Sequence, residues 1–398
     1  MDGAPALTAA FLCGMFAFID LYCTQPLLPL FAQVFHASRS AVGTTVSAPT
    51  FGVAIAAALL ALFGQRLPRR RTIIVGLAAR SVVTLLCAFA TSIPTLAAAR
   101  FVQGLLVPTV SVLTVTYVTE EWPSARVPHA MSVYVSGTVL GGFLGRFLSG
   151  LIAGQTSWQH VFVVLSLLGF AGVVALVRLL PASRKISTST PRVDAMKRTL
   201  RDPRLLATFG VGICMLFTLV GGFSYVTFYL SAPPFSLTTS QLSWLFVVYL
   251  FGLFATLVAG RRLSPERLRH ALYASAATVI VGLLLTLWRR TGAVAAGLAL
   301  LGTGVFIAQT CANAFLRDAS SPETRVTATG TYVCCYYLGG TLGGVVPAAA
   351  FAHGGWPSCV ALLCAVMLLA ALLGRRWKPE RGRPPLHPSD MIELGAQP

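Results

Sequence analysis

The chain is a succession of apolar stretches, each about long enough to cross a bilayer, separated by short polar or basic connections. A spanning helix needs roughly 20 apolar residues, because in hydrocarbon every backbone N–H and C=O must be bonded within the segment itself. Windows of high hydropathy predict twelve such spans, near 7–30, 42–63, 72–92, 94–118, 130–153, 159–180, 205–230, 241–260, 271–288, 293–315, 327–350 and 357–374. A soluble reading fails on charge: hydrophobic residues are 56% and charged residues 11%, whereas a soluble domain carries about 25% charged residues.

The net charge of +18 is a matter of sidedness and gives no indication of nucleic acid as a partner. With the N-terminus inside, 24 of the 30 Lys and Arg residues fall in inner connections or the tail, and only Arg39, Arg289 and Arg290 fall in outer ones. That is the positive-inside pattern, with both termini cytoplasmic. The basic stretch between the sixth and seventh spans divides the chain. We expect an N-terminal six-helix bundle (1–180), a cytoplasmic linker (181–204), a C-terminal six-helix bundle (205–376) and a disordered cytoplasmic tail (377–398).

A faint internal repeat supports this division. Gly64-Gln-Arg-Leu67 matches Gly260-Arg-Arg-Leu263, Arg126 matches Arg325, Gly141 and Gly145 match Gly340 and Gly344, and Trp158 matches Trp356, at offsets of 196 to 199. Parallel repeats of this kind place a binding cavity between the halves near the midplane. The expected fold is an all-α polytopic membrane protein of twelve transmembrane helices in two pseudo-symmetric six-helix bundles.

Of twelve acidic residues, only Asp20 lies inside an apolar run. A carboxylate there costs about 2.5–3.5 kcal/mol or more, so it belongs on an interior face, where it is suited to exchanging a proton. Pro26 and Pro29 follow it, and they predict a break on the outer side of the first span. The fourth span carries Arg100, Gln103 and Gly104, and Arg100 is expected to be the counter-charge that helps a neighbouring carboxylate release its proton. In the fifth span, Gly137, Gly141 and Gly145 form a groove at four-residue spacing, read as a hinge or seal between the halves, with Gly64, Gly340 and Gly344 in the same role. Arg146 follows directly. The expected substrate cavity comprises Gln25, Gln103, Arg146, Tyr225, Tyr229, Gln309, Asn313 and Tyr336. The first half thus supplies intramembrane charge, and the second supplies polar and aromatic groups.

The nine cysteines lie in or beside apolar runs without Cys-x-x-Cys or His spacing, so they read as packing residues and no metal is expected. There is no phosphate-binding Gly-x-x-x-x-Gly-Lys-Ser/Thr loop and no catalytic His–acid pair, so no cofactor and no enzymatic activity are expected.

These residues resemble the major facilitator superfamily, and within it the twelve-span bacterial drug–proton antiporters, over essentially the whole chain. Arg100-x-x-Gln103-Gly104 is similar to the fourth-span motif of that family, and Gly137, Gly141 and Gly145 to its antiporter motif, with Gly141-Gly142 replacing the usual Gly-Pro step. Tyr22-Cys-Thr-Gln-Pro-Leu-Leu-Pro29, the Gly141–Gly150 segment and Ala232-Pro-Pro-Phe235 look like an efflux subgroup. The resemblance implies that Arg100 is the proton-relay arginine and the fifth-span glycines are gating residues. The loop between spans two and three departs from the pattern: Gly64-Gln-Arg-Leu-Pro-Arg-Arg-Arg71 lacks the family's Asp and second Gly, and Glu120 or Glu121 is the nearest acid to stand in for its charge latch.

Together these readings predict a monomeric secondary transporter of the bacterial inner membrane. It would exchange protons for a small amphiphilic organic molecule or drug by alternating access, with the lipid bilayer its only other partner. Two alternatives stay open: an exporter or exchanger of a metabolite such as a sugar, amino acid or organic anion, and a non-transporting sensor.

Overall fold

The computed structural model describes residues 4–63, 67–123, 125–182, 193–252, 267–321 and 324–377. Gly64, the Gly260–Leu263 end of the repeat, much of the linker and residues 378–398 lie outside the described residues.

Every regular element described is helical. The first span consists of α1 (Ala4–Phe18), an irregular turn over 19–24, a 3-10 turn (Gln25–Leu27) and α2 (Leu28–Val34). It is followed by α3 (Arg39–Phe63), α4 (Arg69–Cys87), α5 (Ile93–Glu121), α6 (Val127–Gln155) and α7 (Trp158–Leu179). The linker contains α8 (Val193–Arg201). The second half comprises α9 (Pro203–Ser231), α10 (Thr239–Trp244, continuing through a 3-10 turn at Leu245–Val248), α11 (Leu268–Leu285), α12 (Thr291–Ala319), α13 (Arg325–Val345) and α14 (Pro347–Gly374).

Eight of these helices are long and apolar enough to cross a membrane by composition alone. The other four spans are the broken first one, α4 with its Arg69–Arg71 cluster and Arg80, α10, and the polar, glycine-rich α13. The final turn lies within α14, at Gly354 and Gly355, where Gly355 adopts φ 64°. Only glycine takes that conformation without strain, and the two last spans separate there. Elsewhere the chain starts helices with local caps: Ser92 and Thr95 form a reciprocal box at the start of α5, as Thr238 and Gln241 do at α10. Large apolar side chains on the outer faces remain exposed, among them Phe89, Leu167, Val75 and Leu59, which suits a lipid-facing surface.

The repeat is visible as packing. A Cβ on Gly141 would lie 2.1 Å from Met15 O, and one on Gly339 would lie 2.1 Å from Ile213 O. Gly145 sits on Ile19 O and Gly343 on Phe217 O; Gly14 meets Tyr134 and Gly212 meets Tyr332. Both partners of every pair are displaced by 198 residues, the offset of Trp158 and Trp356. This corrects the alignment at the glycines by one position: Gly141 and Gly145 correspond to Gly339 and Gly343, so Gly340 and Gly344 stand where the first half has Gly142 and Arg146.

The same contacts correct the role expected of Gly137, Gly141 and Gly145. They dock α6 onto Phe11, Met15 and Ile19 of α1, within one half. The seam between the halves uses other residues. Gly43 of α3 lies against Gly344 O of α13, Ser47 Oγ donates to Thr341 O (2.6 Å), and Thr50 bonds Thr341 (3.2 Å). Across the pseudo-axis, Gly150 and Gly154 of α6 meet Ser243 and Ser240 of α10, and Phe147 packs edge-on against Trp244. Gly344, and to a lesser degree Gly340 beside Thr50, therefore do lie on an inter-half surface. Among the described residues these contacts fall in the part of each helix remote from Ala4 and Trp377, here termed the far end.

Trp377 was expected to open the tail. It is instead buried and stacked on Phe315 (4.7 Å, 6°), so the packed fold extends through it. In the linker, Met196 of α8 lies against Thr331 of α13.

Candidate functional site

The break in the first span begins right after Phe18, one turn earlier than the prolines suggest, so Asp20 lies in the unwound segment itself. Unwinding leaves carbonyls without helical partners, and buried carbonyls must be satisfied from elsewhere. Arg100 supplies them. Its Nη1 donates to Asp20 O at 2.7 Å, its Nη2 donates to Leu21 O, and its Nε donates to Thr45 O at 3.2 Å. Thr45 O is free for a related reason: Pro49, four residues on inside α3, has no N–H to give it. One buried guanidinium therefore closes two interrupted helices. Arg100 also bonds Gln103 Oε1, which orients that amide.

The Asp20 carboxylate is met by different groups. Its Oδ2 accepts from Gln103 Nε2 (2.8 Å) and Thr84 Oγ1 (3.0 Å), and Arg80 Nε of α4 lies 3.3 Å away. Arg80 further donates through Nη1 to Ala17 O at 3.0 Å. The counter-charge at the carboxylate is thus Arg80 rather than Arg100, whose donors go to three main-chain carbonyls and to Gln103 Oε1. Asp20 is 4% exposed, Arg80 1% and Arg100 0%. Asp20 Oδ1 is buried without a hydrogen-bond partner.

Arg146 occupies the seam. Its Nε donates to Gln25 Oε1 and its Nη1 to Gly142 O, each at 2.6 Å. Its guanidinium lies 4.6 Å from the ring centres of Tyr22 and Tyr249 and 5.7 Å from that of Phe246. Gln25 in turn donates through Nε2 to Ser224 Oγ of α9 at 3.0 Å. Arg146 and Gln25 therefore join the two halves directly.

The remaining cavity residues scatter. Tyr336 lies with Tyr332 and Tyr337 in an aromatic row on α13. Tyr225 donates to Gly344 O at 2.8 Å and so braces the seam, while Tyr229 stacks on Trp356 (5.8 Å, 15°) at the far end. Neither belongs with Arg146. Gln309 is half-buried and Asn313 exposed on α12. A cavity of about 870 Å³ opens at the far end between the halves, bordered by Pro29 and Arg39 of the first half and Phe228, Ser231, Val346 and Ala349 of the second; Arg146 is not among its lining residues. Glu120 does find an arginine: Arg69 forks onto it at 3.1 and 3.2 Å. Both belong to the first half, so this pair ties α4 to α5 and does not span the halves.

Sequence reasoning counted Arg80 with Arg100 and Arg146 as an intramembrane cation that could hold an anionic substrate, but missed it as the partner of Asp20 and passed over Thr84. The available signal was the low hydropathy of α4, whose Arg80 and Thr84 lie four residues apart on one helical face.

An all-helical bundle whose repeated halves meet across a buried, polar seam defines a membrane transporter. The sequence profile of the Major Facilitator Superfamily matches residues 10–344 and 235–397, and the chain belongs to that family. It is 25% identical to an uncharacterized transporter of Buchnera aphidicola subsp. Schizaphis graminum, over 92% of this chain and 90% of that one. It is 26% identical to the uncharacterized MFS-type transporter YybF of Bacillus subtilis (strain 168), over 92% and 91%. Among solved structures, a bacterial homolog of the human lysosomal transporter Spinster in an inward-facing, occupied conformation has the same fold, with a TM-score of 0.72 at 15% identity over 93% of this chain and 95% of that one. The protein is a multi-pass membrane transporter of small molecules.

Proposed function

We propose that the protein exports a small amphiphilic organic molecule in exchange for protons, as a monomer with both termini cytoplasmic, and that residues 1–180 and 205–376 are the two rocking units. The observation that carries this reading is the state of Asp20. It is the one acid in the unwound segment; its Oδ2 is held by Arg80, Thr84 and Gln103, and its Oδ1 is unused. A proton arriving on Oδ1 discharges the carboxylate and removes the attraction that holds Arg80. α4 is then free to shift against the first span, and that shift reaches the seam through Gln25 on the same segment and its partner Arg146 of α6. Proton loss restores the pair. Arg100 keeps the broken segment in shape in both states, because its acceptors, three main-chain carbonyls and the Gln103 amide oxygen, do not titrate.

The test is proton release from everted vesicles on adding candidate solutes, for wild type, Asp20→Asn and the Asp20→Asn/Arg80→Gln double variant. The double variant is needed because Asp20→Asn alone leaves Arg80 buried and unpaired. Proton movement driven by solute in the wild type and lost in the folded double variant supports the reading. Unchanged proton movement in that variant removes Asp20 from the coupling path.

A further inference from the structure

We propose that Arg146 anchors an anion-binding site between the halves and that the cargo is an organic anion with a flat apolar body; this rests on the transporter reading above and gives its substrate a charge. The argument starts from charge balance. Arg80 has Asp20, and Arg69 has Glu120. Arg100 has three backbone carbonyls. Arg146 is 2% exposed, and among the described residues no carboxylate pairs with it; its acceptors are the neutral Gln25 amide and one carbonyl. A desolvated cation held only by neutral groups is costly. Rings at 4.6 to 5.7 Å soften that cost without cancelling the charge.

Among the described residues no counter-charge comes from the opposite half. Asp318 of that half and Asp202 at the end of the linker lie at helix ends beside arginines of their own, Arg317 and Arg204. The buried cluster of Asp20, Arg80 and Arg100 itself carries an excess positive charge, so the interior as a whole is cationic. The surroundings of Arg146 are rich in donors. Tyr22 and Tyr249 bring phenol groups to the guanidinium, and Gln25 brings an amide. Guanidinium and phenol donors facing no acid match an acceptor-rich anion such as a carboxylate or sulfonate. Tyr22 belongs to one half and Tyr249 and Phe246 to the other, so parting the seam frees ring faces beside the guanidinium for a flat apolar body. An organic cation meets repulsion at the same place.

Three probes of one shape and different charge test this on the full-length purified protein: naphthalene-2-sulfonate, its neutral N-methyl sulfonamide and 2-naphthylmethylammonium. Binding is read as thermal stabilisation in detergent, and transport as proton movement in liposomes. The sulfonate is expected to stabilise wild type saturably and the ammonium is not. Arg146→Gln should weaken sulfonate binding by about 10-fold or more, and Arg146→Lys by less. Should Arg146→Gln fail to fold, the wild-type charge series and Arg146→Lys decide. Tighter binding of the ammonium, equal sulfonate binding by Arg146→Gln, or no binding by any probe overturns the anion site. Arg146-dependent sulfonate binding without proton movement upholds the site and removes proton coupling. Ammonium-driven proton movement upholds antiport and removes the anion.

Discussion

Arg100 Nε donates to the Thr45 carbonyl at 3.2 Å, the carbonyl that Pro49 leaves vacant in α3. Replacing Pro49 with Ala returns an amide hydrogen to that carbonyl and competes with Arg100 for it. A proline in a helix interior costs about 3 kcal/mol, part of which this fold has offset, so Pro49→Ala should raise stability by about 1 kcal/mol or more while slowing transport. Melting in detergent and initial flux in liposomes measure the two. A less stable variant with normal flux contradicts the account.

Asp20 and Arg80 should behave as one unit. Removing either partner of a buried pair costs about 3–5 kcal/mol, so Asp20→Asn and Arg80→Gln are each expected to lower stability markedly. The double variant should lose less than the sum, with a coupling of about 2 kcal/mol. Chemical denaturation of the four proteins in one detergent gives this number, and strict additivity would show that the 3.3 Å approach contributes nothing.

Neighbouring glycines in α6 should differ sharply. A Cβ on Gly145 would lie 1.6 Å from Ile19 O, whereas one on Gly142 meets first the movable Arg146 Nη1 at 3.3 Å. Gly145→Ala must push α6 off α1 and should cost about 3 kcal/mol or prevent folding. Gly142→Ala should be near neutral, since the gain in helix propensity is about 0.5–1 kcal/mol. Monodispersity and melting temperature separate the two outcomes.

The far-end seam can be locked. Ser47 Oγ lies 2.6 Å from Thr341 O, so in a background without native cysteines the Ser47→Cys/Thr341→Cys pair should cross-link with a short thiol-specific reagent. Flux should stop on cross-linking and return on reductive cleavage of the linker. Continued flux in the locked protein would mean that this seam does not part during transport.

Much of this was legible beforehand, because membrane spans advertise themselves. Length and hydropathy place the helices to within a few residues, and a lone acid beside two prolines marks the first span as broken. Neighbours were harder to read. Glycines four residues apart announce a close helix without saying which one, so the α6 groove, expected at the seam, was found on α1. Arg100 and Arg80 are both intramembrane arginines in the sequence. Which of them reaches the Asp20 carboxylate depends on how α4 and α5 are rotated about their axes, and on the carbonyls that Pro49 and the unwound turn set free for Arg100. The extent of that turn is likewise non-local: it starts a turn ahead of where the prolines alone would break the helix, and the Arg100 guanidinium from α5 stabilises it.

The 198-residue repeat also means that the molecule closes along two unlike edges. Where Gly344 stands in one half, Arg146 stands in the other, so one edge shuts main chain on main chain and the other shuts on a guanidinium that must shed its water each time. Sealing the first asks only for fit, while sealing the second carries an electrostatic toll that an arriving counter-ion removes. On the rocking mechanism proposed above, the two edges are unequal, and an unloaded carrier is expected to shut more slowly on the Arg146 edge than a loaded one.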